Sequence, residues 1–555
     1  MNAPQGGRPS RRTVLLAAIA ATAGGSGVAA AAVGLSRALR PGHAAGTGSE
    51  GGGTPPPATA SPVRASPAGG PRASDWAALG RELPPGALLR PGDQGYPAAR
   101  LLFDPRFDGL RPAGIASCMS AANVASCISF ARRFGLPVAA RSGGHSYAGW
   151  SSTTGLMVDT GPMQSFRVDG SRVTVGAGLR LIDFYTQLAA RGLAVPGGSC
   201  PTVGIAGLTL GGGVGVLGRQ YGLTCDNLVA LEMVTADGRI RQVDAGHDPD
   251  LLWASQGGGG GNFGIATSFT FTARPLASLT QFFFSWPWSQ AARVVGGWQG
   301  WAPYLTGQWW ANLHLAAAPG AAVPLSVQVG GTFLGSPPDA GGELSRLFAA
   351  VGSDPSSGEP FESPYLPAML IEAGCGSLTT DQCHLPGSRP GQAPGGLLAR
   401  QPELARSDFF TRPLPAPGLA SLIHGVEQFL GVRPAAGGSG GIALDACGGA
   451  INKPGAGDTA FVHRDALFLA QYTTTWTAGG GGSPGGAGRQ RDWQRTWYQE
   501  MRPYASGQAY QNYIDPSLAS WRQAYYGANY PRLARIKAAY DPQRLFRFPQ
   551  AITPG

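Results

Sequence analysis

The sequence predicts an α+β protein built from two units, and three patterns carry that expectation. Residues 75–276 alternate short apolar strands with helical segments. Residues 277–500 change character, with aromatic-rich strands set among long Gly/Pro loops. That composition suits an antiparallel sheet covered by helices. At 555 residues the chain can bury a substantial interior and should hold more than one folding unit.

The N-terminal region stands apart from both units. Ser10-Arg11-Arg12-Thr13-Val14-Leu15-Leu16 reads as a twin-arginine export signal, within a segment assigned to residues 1–45. The weakly apolar stretch that follows, to about Leu35, is just long enough to span a bilayer. Its glycines, and alanine in place of leucine, make a poor bilayer helix, so cleavage is favoured over retention as an anchor. Residues 46–74 are dominated by Gly, Pro, Ala, Ser and Thr and are expected to be a flexible linker. The protein is therefore expected to be secreted or held at the cell surface, with no stable membrane insertion unless the signal is retained.

Within the first unit, Ala121–Phe134 reads as a helix ended by Gly135, and Leu136–Ala140 as a strand. Leu156–Asp159 and Arg172–Ala177 read as strands, and Leu181–Arg191 as a helix ended by Gly192. Leu228–Ala236 and Arg239–Val243 form a hairpin through Asp237-Gly238, and Ile265–Phe271 is a further β-rich run. In the second unit the strands are Phe282–Trp288, Trp309–Leu315 and Leu325–Leu334.

Three glycine-dense segments interrupt this pattern. The first is Arg141-Ser142-Gly143-Gly144-His145-Ser146-Tyr147, where adjacent glycines allow a tight turn that aims N–H groups into one concavity. The second runs from Gly197 to Gly213 and includes Cys200, Val203, Gly204, Gly207, Gly211 and Gly212. It is too rich in glycine and too poor in charge for an ordinary helix or surface loop. Such backbone approaches something flat or anionic. The third, Gly257–Gly261 with Asn262, Phe263 and Gly264, cannot be an element interior. None of the three is a G-x-G-x-x-G opening a helix after a strand, so a Rossmann site has no support.

Taken together, these segments resemble the flavin-attachment loops of the berberine bridge enzyme-like oxidases. These belong to the wider FAD-linked family of vanillyl-alcohol oxidase and p-cresol methylhydroxylase. The resemblance implies a two-part FAD-binding domain of the p-cresol methylhydroxylase type over 75–276 and a substrate-binding domain over 277–500. A C-terminal segment, 501–555, would return to the FAD domain. Its Tyr525-Tyr526-Gly527-Ala528-Asn529-Tyr530 and Leu545-Phe546-Arg547 match the family's tail. The likeness is strong over 100–275, good over 440–550 and loose over 276–440. By the same resemblance FAD is bonded covalently to His145 and Cys200. The cofactor would also touch Arg141, Ser142, Gly143, Gly144, Ser146, Val203 and Gly204. Further contacts would come from Gly207, Gly211, Gly212, Gly258, Asn262, Gly264, Tyr510 and Asn512. Export of folded proteins by the twin-arginine route fits a chain that must capture its flavin first.

The resemblance also nominates catalytic groups. Tyr510-Gln511-Asn512-Tyr513-Ile514-Asp515 is similar to a family motif whose second tyrosine, here Tyr513, contacts substrate as base or proton relay. A phenol with an ordinary pKa near 10 needs a helper near neutrality. Asp445 aligns with the carboxylate that partners this tyrosine, Gln471 sits at a strand position facing the flavin, and Tyr147 lines the cavity above it. The plain alternatives are a buried Tyr, a turn Asp and a strand Gln. Val203 is small where the family's leucine restricts oxygen, which points to an oxidase that releases hydrogen peroxide.

Small-molecule substrate and O2 are thus the expected partners, with the chain a monomer. The substrate class implied is a hydroxyl of a carbohydrate or of a glycosylated or polycyclic natural product. The alternatives are a tailoring oxidase forming a C–C or C–N bond, and a non-catalytic cell-surface flavoprotein. Other chemistries are excluded more simply. Net charge is +10, but residues 1–80 hold seven Arg against one Glu and one Asp, so the folded part is only mildly basic. No basic run with interleaved aromatics occurs, and nucleic acid is not expected as a partner. Of seven cysteines, Cys200 is set aside for the flavin, and Cys375 and Cys383 flank a short loop as the expected disulfide. Cys383-His384 lacks partners at ligand spacing, so no metal is expected. Gly144-His145-Ser146-Tyr147-Ala148 lacks the final glycine of a nucleophile elbow.

Overall fold

In a computed structural model, residues 70–477 and 485–555 are described. The export signal and most of the expected linker lie outside the described residues. The first helix, Ala73–Arg81, begins inside the expected linker, where the Asp75 carboxylate accepts from the Arg72 N–H at 2.9 Å. That bond satisfies one of the free donors at the helix start, and Trp76 and Leu79 anchor the helix in the core.

Besides a two-stranded pair, Leu193–Ala194 with Arg274–Pro275, the first unit contains two larger sheets. One has the strand order Leu88–Leu89, Gly114–Ser117, Leu156–Asp159, Val138–Arg141, the last three parallel. Helix Ala121–Phe134 lies against it, with Ser120 Oγ accepting from Asn123 N–H and Gly135 at φ 63° closing its end. Only glycine takes that left-handed cap without strain. The apolar stripe Val124, Cys127, Ile128 and Ala131 is fully buried. The other sheet is antiparallel: Phe166–Asp169, Arg172–Gly176, Gly264–Thr272, Leu228–Thr235, Ile240–Asp244. Val234 and Ile265 from this sheet share one apolar cluster with Val138, Leu156 and Val158 of the first.

The second unit is a seven-stranded antiparallel sheet. Its order is Phe361–Pro364, Ser278–Trp286, Leu325–Phe333, Trp309–Ala317, Ser439–Ala446, Phe468–Thr475, Glu403–Phe410. Period-two alternation divides its faces. Leu313, Leu315, Ile442, Leu444, Ala470 and Tyr472 point to one side. They meet Val294, Trp298, Leu344, Leu422, Trp493 and Trp497 of the covering helices there. Asn312, His314, Gln328, Asp445 and Gln471 point to the other side and line a cavity.

The tail returns to the first unit through buried polar bonds rather than apolar contact alone. Lys537, on helix Tyr530–Tyr540, is fully buried, pairs with Asp541 at 2.6 Å and donates to Asn262 O at 2.5 Å. Asn262 Oδ1 in turn accepts from Ile552 N–H at 3.0 Å. A buried ammonium without these partners would be severely costly.

One expectation needs correction. Residues 197–215 do contain a helix, Ile205–Gly211. Its first four apolar positions include the buried Ile205 and Ala206, and burial outweighs the poor helix propensity of Gly207. The Cys375–Cys383 disulfide is present. Cys118 and Cys127 are buried thiols with sulfurs 3.8 Å apart.

Candidate active site

A cavity of about 1090 Å³ lies between the polar face of the seven-stranded sheet and the glycine-dense loops of the first unit. The 141–147 and 200–204 segments form its wall by meeting backbone to backbone. A Cβ on Gly143 would lie 2.3 Å from Gly204 N, and one on Gly204 would lie 2.1 Å from Ser142 Oγ. Glycine is required at both places for steric reasons. His145 and Cys200 are thereby presented to the same cavity.

The His145 ring is fixed from two sides. Phe103 stacks on it with centroids 3.9 Å apart, and its Nε2 lies 2.9 Å from Thr202 Oγ1. Burial, with the Arg180 charge adding to it, lowers the imidazole to about 3. The ring is therefore neutral at ordinary pH and carries a free lone pair.

The nominated catalytic groups gather at the same cavity. Gln471 Nε2 donates to Tyr147 Oη at 3.0 Å. Tyr147 and Tyr513 rings lie 6.1 Å apart, and Tyr513 meets Tyr510 edge-on at 4.9 Å. Asp445 sits in a strand, not a turn, opposite Asn312 in register. Burial pushes its carboxyl up to about 7. Burial, reinforced by Asp445, raises the Tyr513 phenol well above its ordinary value.

Of the expected cofactor contacts, Ser142, Ser146, Tyr510 and Asn512 line the cavity while also bonding neighbouring loops, whereas Gly211, Gly212 and Gly258 stand off its wall. The Arg141 guanidinium turns away to Asp159 at 2.6 Å and to the Ala99 carbonyl, so only its backbone and stem border the cavity. Gly211 and Gly212 pack under the tail motif instead: a Cβ on Gly211 would fall 2.0 Å from Asn512 Oδ1, and one on Gly212 would fall 3.2 Å from Tyr510. A Cβ on Gly258 would meet Ala254 O at 2.4 Å, and Gly259, Gly260 and Gly261 border the cavity in its stead. Tyr510 and Asn512 act on the loop itself. Gly213 N–H donates to Tyr510 Oη at 2.8 Å, and Asn512 Nδ2 donates to Leu208 O at 3.0 Å. Ser142 Oγ donates to Ala177 O at 2.7 Å, and Ser146 Oγ accepts from Trp150 N–H at 3.1 Å. Val203, Gly204, Gly207 and Gly264 border the cavity as expected.

Sequence reasoning missed Phe103 and Thr202, and the polar row Asn312, His314, Gln328 and Glu372. Period-two alternation in the expected strand Trp309–Leu315 does mark Asn312 and His314 as sharing a face. No local signal shows that this face is the cavity's. Among the aromatic residues of the second unit, Trp310 and Trp476 border the cavity. Trp309 stacks on Phe333 at 4.3 Å in the core, and Tyr365 meets Tyr185 there.

The donor set fits a flavin nucleotide. Gly207 has open space where a side chain would stand, and Gly260 has nothing nearer than 3.8 Å, so a bare backbone cradle faces the cavity beside His145 and Cys200. Among the described residues no His/Cys/Asp/Glu group is arranged to hold a metal ion.

Comparison with known proteins agrees with this geometry. A profile for FAD binding domains matches residues 112–244, and one described as berberine and berberine like matches residues 509–553. An FAD-linked oxidoreductase of Bacillus subtilis, YgaK, is 32% identical over 479 residues, covering 84% of this chain and 97% of its own. Berberine bridge enzyme-like 17 of Arabidopsis thaliana is 29% identical over 78% of this chain and 83% of its own. Among solved structures, Physcomitrella patens BBE-like 1 superposes with a TM-score of 0.76 at 28% identity, over 87% of this chain and 99% of that one. Phl p 4, a grass pollen allergen with glucose dehydrogenase activity, gives 0.72 at 28% identity, over 87% and 99%. The fold is thus shared over most of the chain, and the chain belongs to the berberine bridge enzyme-like family of FAD-linked oxidoreductases.

Proposed function

We propose that the chain is an oxidase acting on a hydroxyl of a carbohydrate or of a glycosylated or polycyclic natural product, with FAD tethered at His145 and Cys200 and O2 reduced to H2O2. The observation that carries this reading is the presentation of a neutral imidazole and a thiol to one cavity, which Tyr147, Gln471, Tyr513 and Asp445 also line. A bound flavin supplies the hydride acceptor. The chain's own work is to position the hydroxyl and take its proton. Gln471 fixes the Tyr147 phenol, so Tyr147 and Tyr513 form an aromatic wall that orients a sugar ring. Tyr513, whose phenol is raised by burial, directs the hydroxyl, and Asp445 holds the proton, because a carboxyl near 7 is matched to a neutral working pH.

Support for oxygen as acceptor comes from Val203, which stands three residues after Cys200 and leaves space at the cavity wall. In Phl p 4 a variant with one isoleucine replaced by valine is described as a glucose oxidase, whereas the parent has glucose dehydrogenase activity. Anaerobic reduction by a sugar followed by mixing with O2 tests the proposal. Rapid flavin reoxidation with stoichiometric peroxide is expected; slow reoxidation would assign a dehydrogenase. We further propose export by the twin-arginine route, which the Cys375–Cys383 disulfide supports, since such bonds persist in oxidising compartments.

A further inference from the structure

We propose that the cavity end formed by Glu372, Asn312 and Asp445 is a subsite for a protonated amine, so that the preferred substrates are sugars or glycosides bearing a free amino group. The proposal rests on the reading of this cavity as a sugar-oxidising site and adds a substrate class to it.

Glu372 closes helix Tyr365–Glu372 at the cavity wall and is only 2% exposed. Gln281 Nε2 donates to its carboxylate at 3.0 Å, while Gln281 Oε1 is buried with no partner. Asn312, 6% exposed, likewise has an unpartnered Oδ1. That oxygen leans over Gly330, where a Cβ would come within 2.8 Å of it, so a side chain there would displace the Asn312 amide. Asp445 stands beside Asn312 on the neighbouring strand.

Acceptor capacity here exceeds the donors: Glu372 receives one bond, from Gln281, and Asn312 Oδ1 receives none. Among the described residues, neither Glu372 nor Asp445 joins an ion pair. Of the arginines that border the cavity, Arg141 commits its guanidinium to Asp159 and Arg400 to Asp108. The next side chain on the same face, His314, is held neutral by burial, which lowers it to about 4. An unsatisfied buried acceptor costs ~1–3 kcal/mol. An ammonium brings three donors and a positive charge, whereas a hydroxyl brings one donor. Trp310 Nε1, an unpartnered donor in the same wall, is left for a sugar oxygen.

The charge balance gives the subsite a signature. With no cation nearby, burial pushes Glu372 up to about 8, so it is mostly protonated at neutral pH. An ammonium arriving beside it displaces that proton to solvent, and the same charge holds Asp445 ionised, the form needed to accept a proton.

Calorimetric titration of the FAD-loaded enzyme with D-glucosamine, D-glucose and N-acetyl-D-glucosamine, in two buffers of different ionisation heat at neutral pH, tests this. Glucosamine is expected to bind at least about tenfold tighter than either neutral sugar and to release protons, close to one from Glu372 and a further part of one from Asp445, with none released by the others. In Glu372→Gln the proton release is expected to fall by close to one proton and the preference to fall below about twofold, with neutral-sugar affinity and the flavin spectrum unchanged. Equal affinities, undetectable glucosamine binding, or unaltered proton release in Glu372→Gln would overturn the subsite. Failure of the oxidase reading shows separately, as a flavin that none of the three sugars bleaches without oxygen.

Discussion

Thr202 shows how much of the site depends on single atoms. Its hydroxyl lies 2.9 Å from His145 Nε2, and its backbone carbonyl also favours the ring's N–H. With the Thr202 hydroxyl accepting, the hydrogen sits on Nε2 and Nδ1 is left as the nucleophilic nitrogen. Replacing Thr202 by Val is expected to slow flavin attachment at His145 by about 10–100-fold, the size of a lost bond to a group that gains charge. Attachment at Cys200 should persist, and peptide mass spectrometry distinguishes the two. The pair His145 and Cys200 was legible in the sequence because each sits in a glycine motif of known kind. Thr202 and Phe103 were not, because only the closure of two distant loops brings them to the imidazole.

Asp445 gives the second prediction at this scale. With its carboxyl near 7, oxidation should rise with pH through about 7, as the carboxylate form that accepts a proton becomes populated. Asp445→Asn is expected to lower the reductive rate by about 100- to 10 000-fold and to abolish that limb of the profile. A pH profile unchanged in the variant would assign the limb to another group.

At the scale of elements, alternation decides what faces the cavity. Strand Trp309–Ala317 was legible as a strand from its aromatic and apolar run. That Asn312 and His314 would meet Asp445 required the neighbour, Ser439–Ala446, which approaches from more than 120 residues away. Helix Ile205–Gly211 was illegible for the opposite reason. Its glycines argue against a helix locally, and its close packing against Tyr510 and Asn512 is a tertiary property. Gly211→Ala tests that packing directly: its Cβ would fall on Asn512 Oδ1 at 2.0 Å. A loss of about 1–3 kcal/mol in denaturant unfolding of the apoprotein is expected, together with weakened FAD retention as the Asn512–Leu208 bond is displaced. An alanine variant as stable as the parent would show that the loop yields freely.

Over the whole molecule, buried titratable groups set the pH range of stability. Burial raises Glu372 and Glu403 to about 8, so the folded state holds protons that the unfolded chain releases near its ordinary carboxyl values. Stability from this source is complete below about 4.5 and is lost as pH climbs through about 8. Buried His145, His314 and His463 act in the other direction, because they resist the protonation that the unfolded chain accepts below about 6.5. Between these limits the two sets oppose one another, and from about 6.5 to about 8 the three histidines no longer offset the carboxyls, while His384, raised despite its burial by Asp183, acts in the carboxyls' direction. The Tm of the apoprotein is therefore expected to fall over that upper window, and Glu372→Gln with Glu403→Gln should flatten the decline. A Tm that rises there in the parent would contradict the burial of both carboxyls. The two-unit plan and the returning tail were legible at this scale, because Tyr525–Tyr530 and Leu545–Arg547 carry a local signature. The buried Lys537–Asp541 pair that fastens the tail was not, since surface ion pairs at the same spacing look identical in sequence.

The central claim, a flavin held between the His145 and Cys200 loops, is tested most directly by acid precipitation of purified protein followed by mass spectrometry of its peptides. Yellow colour that stays with the precipitate, and one flavin mass joining the peptides of His145 and Cys200, is the predicted result. FAD released quantitatively into the supernatant would contradict it.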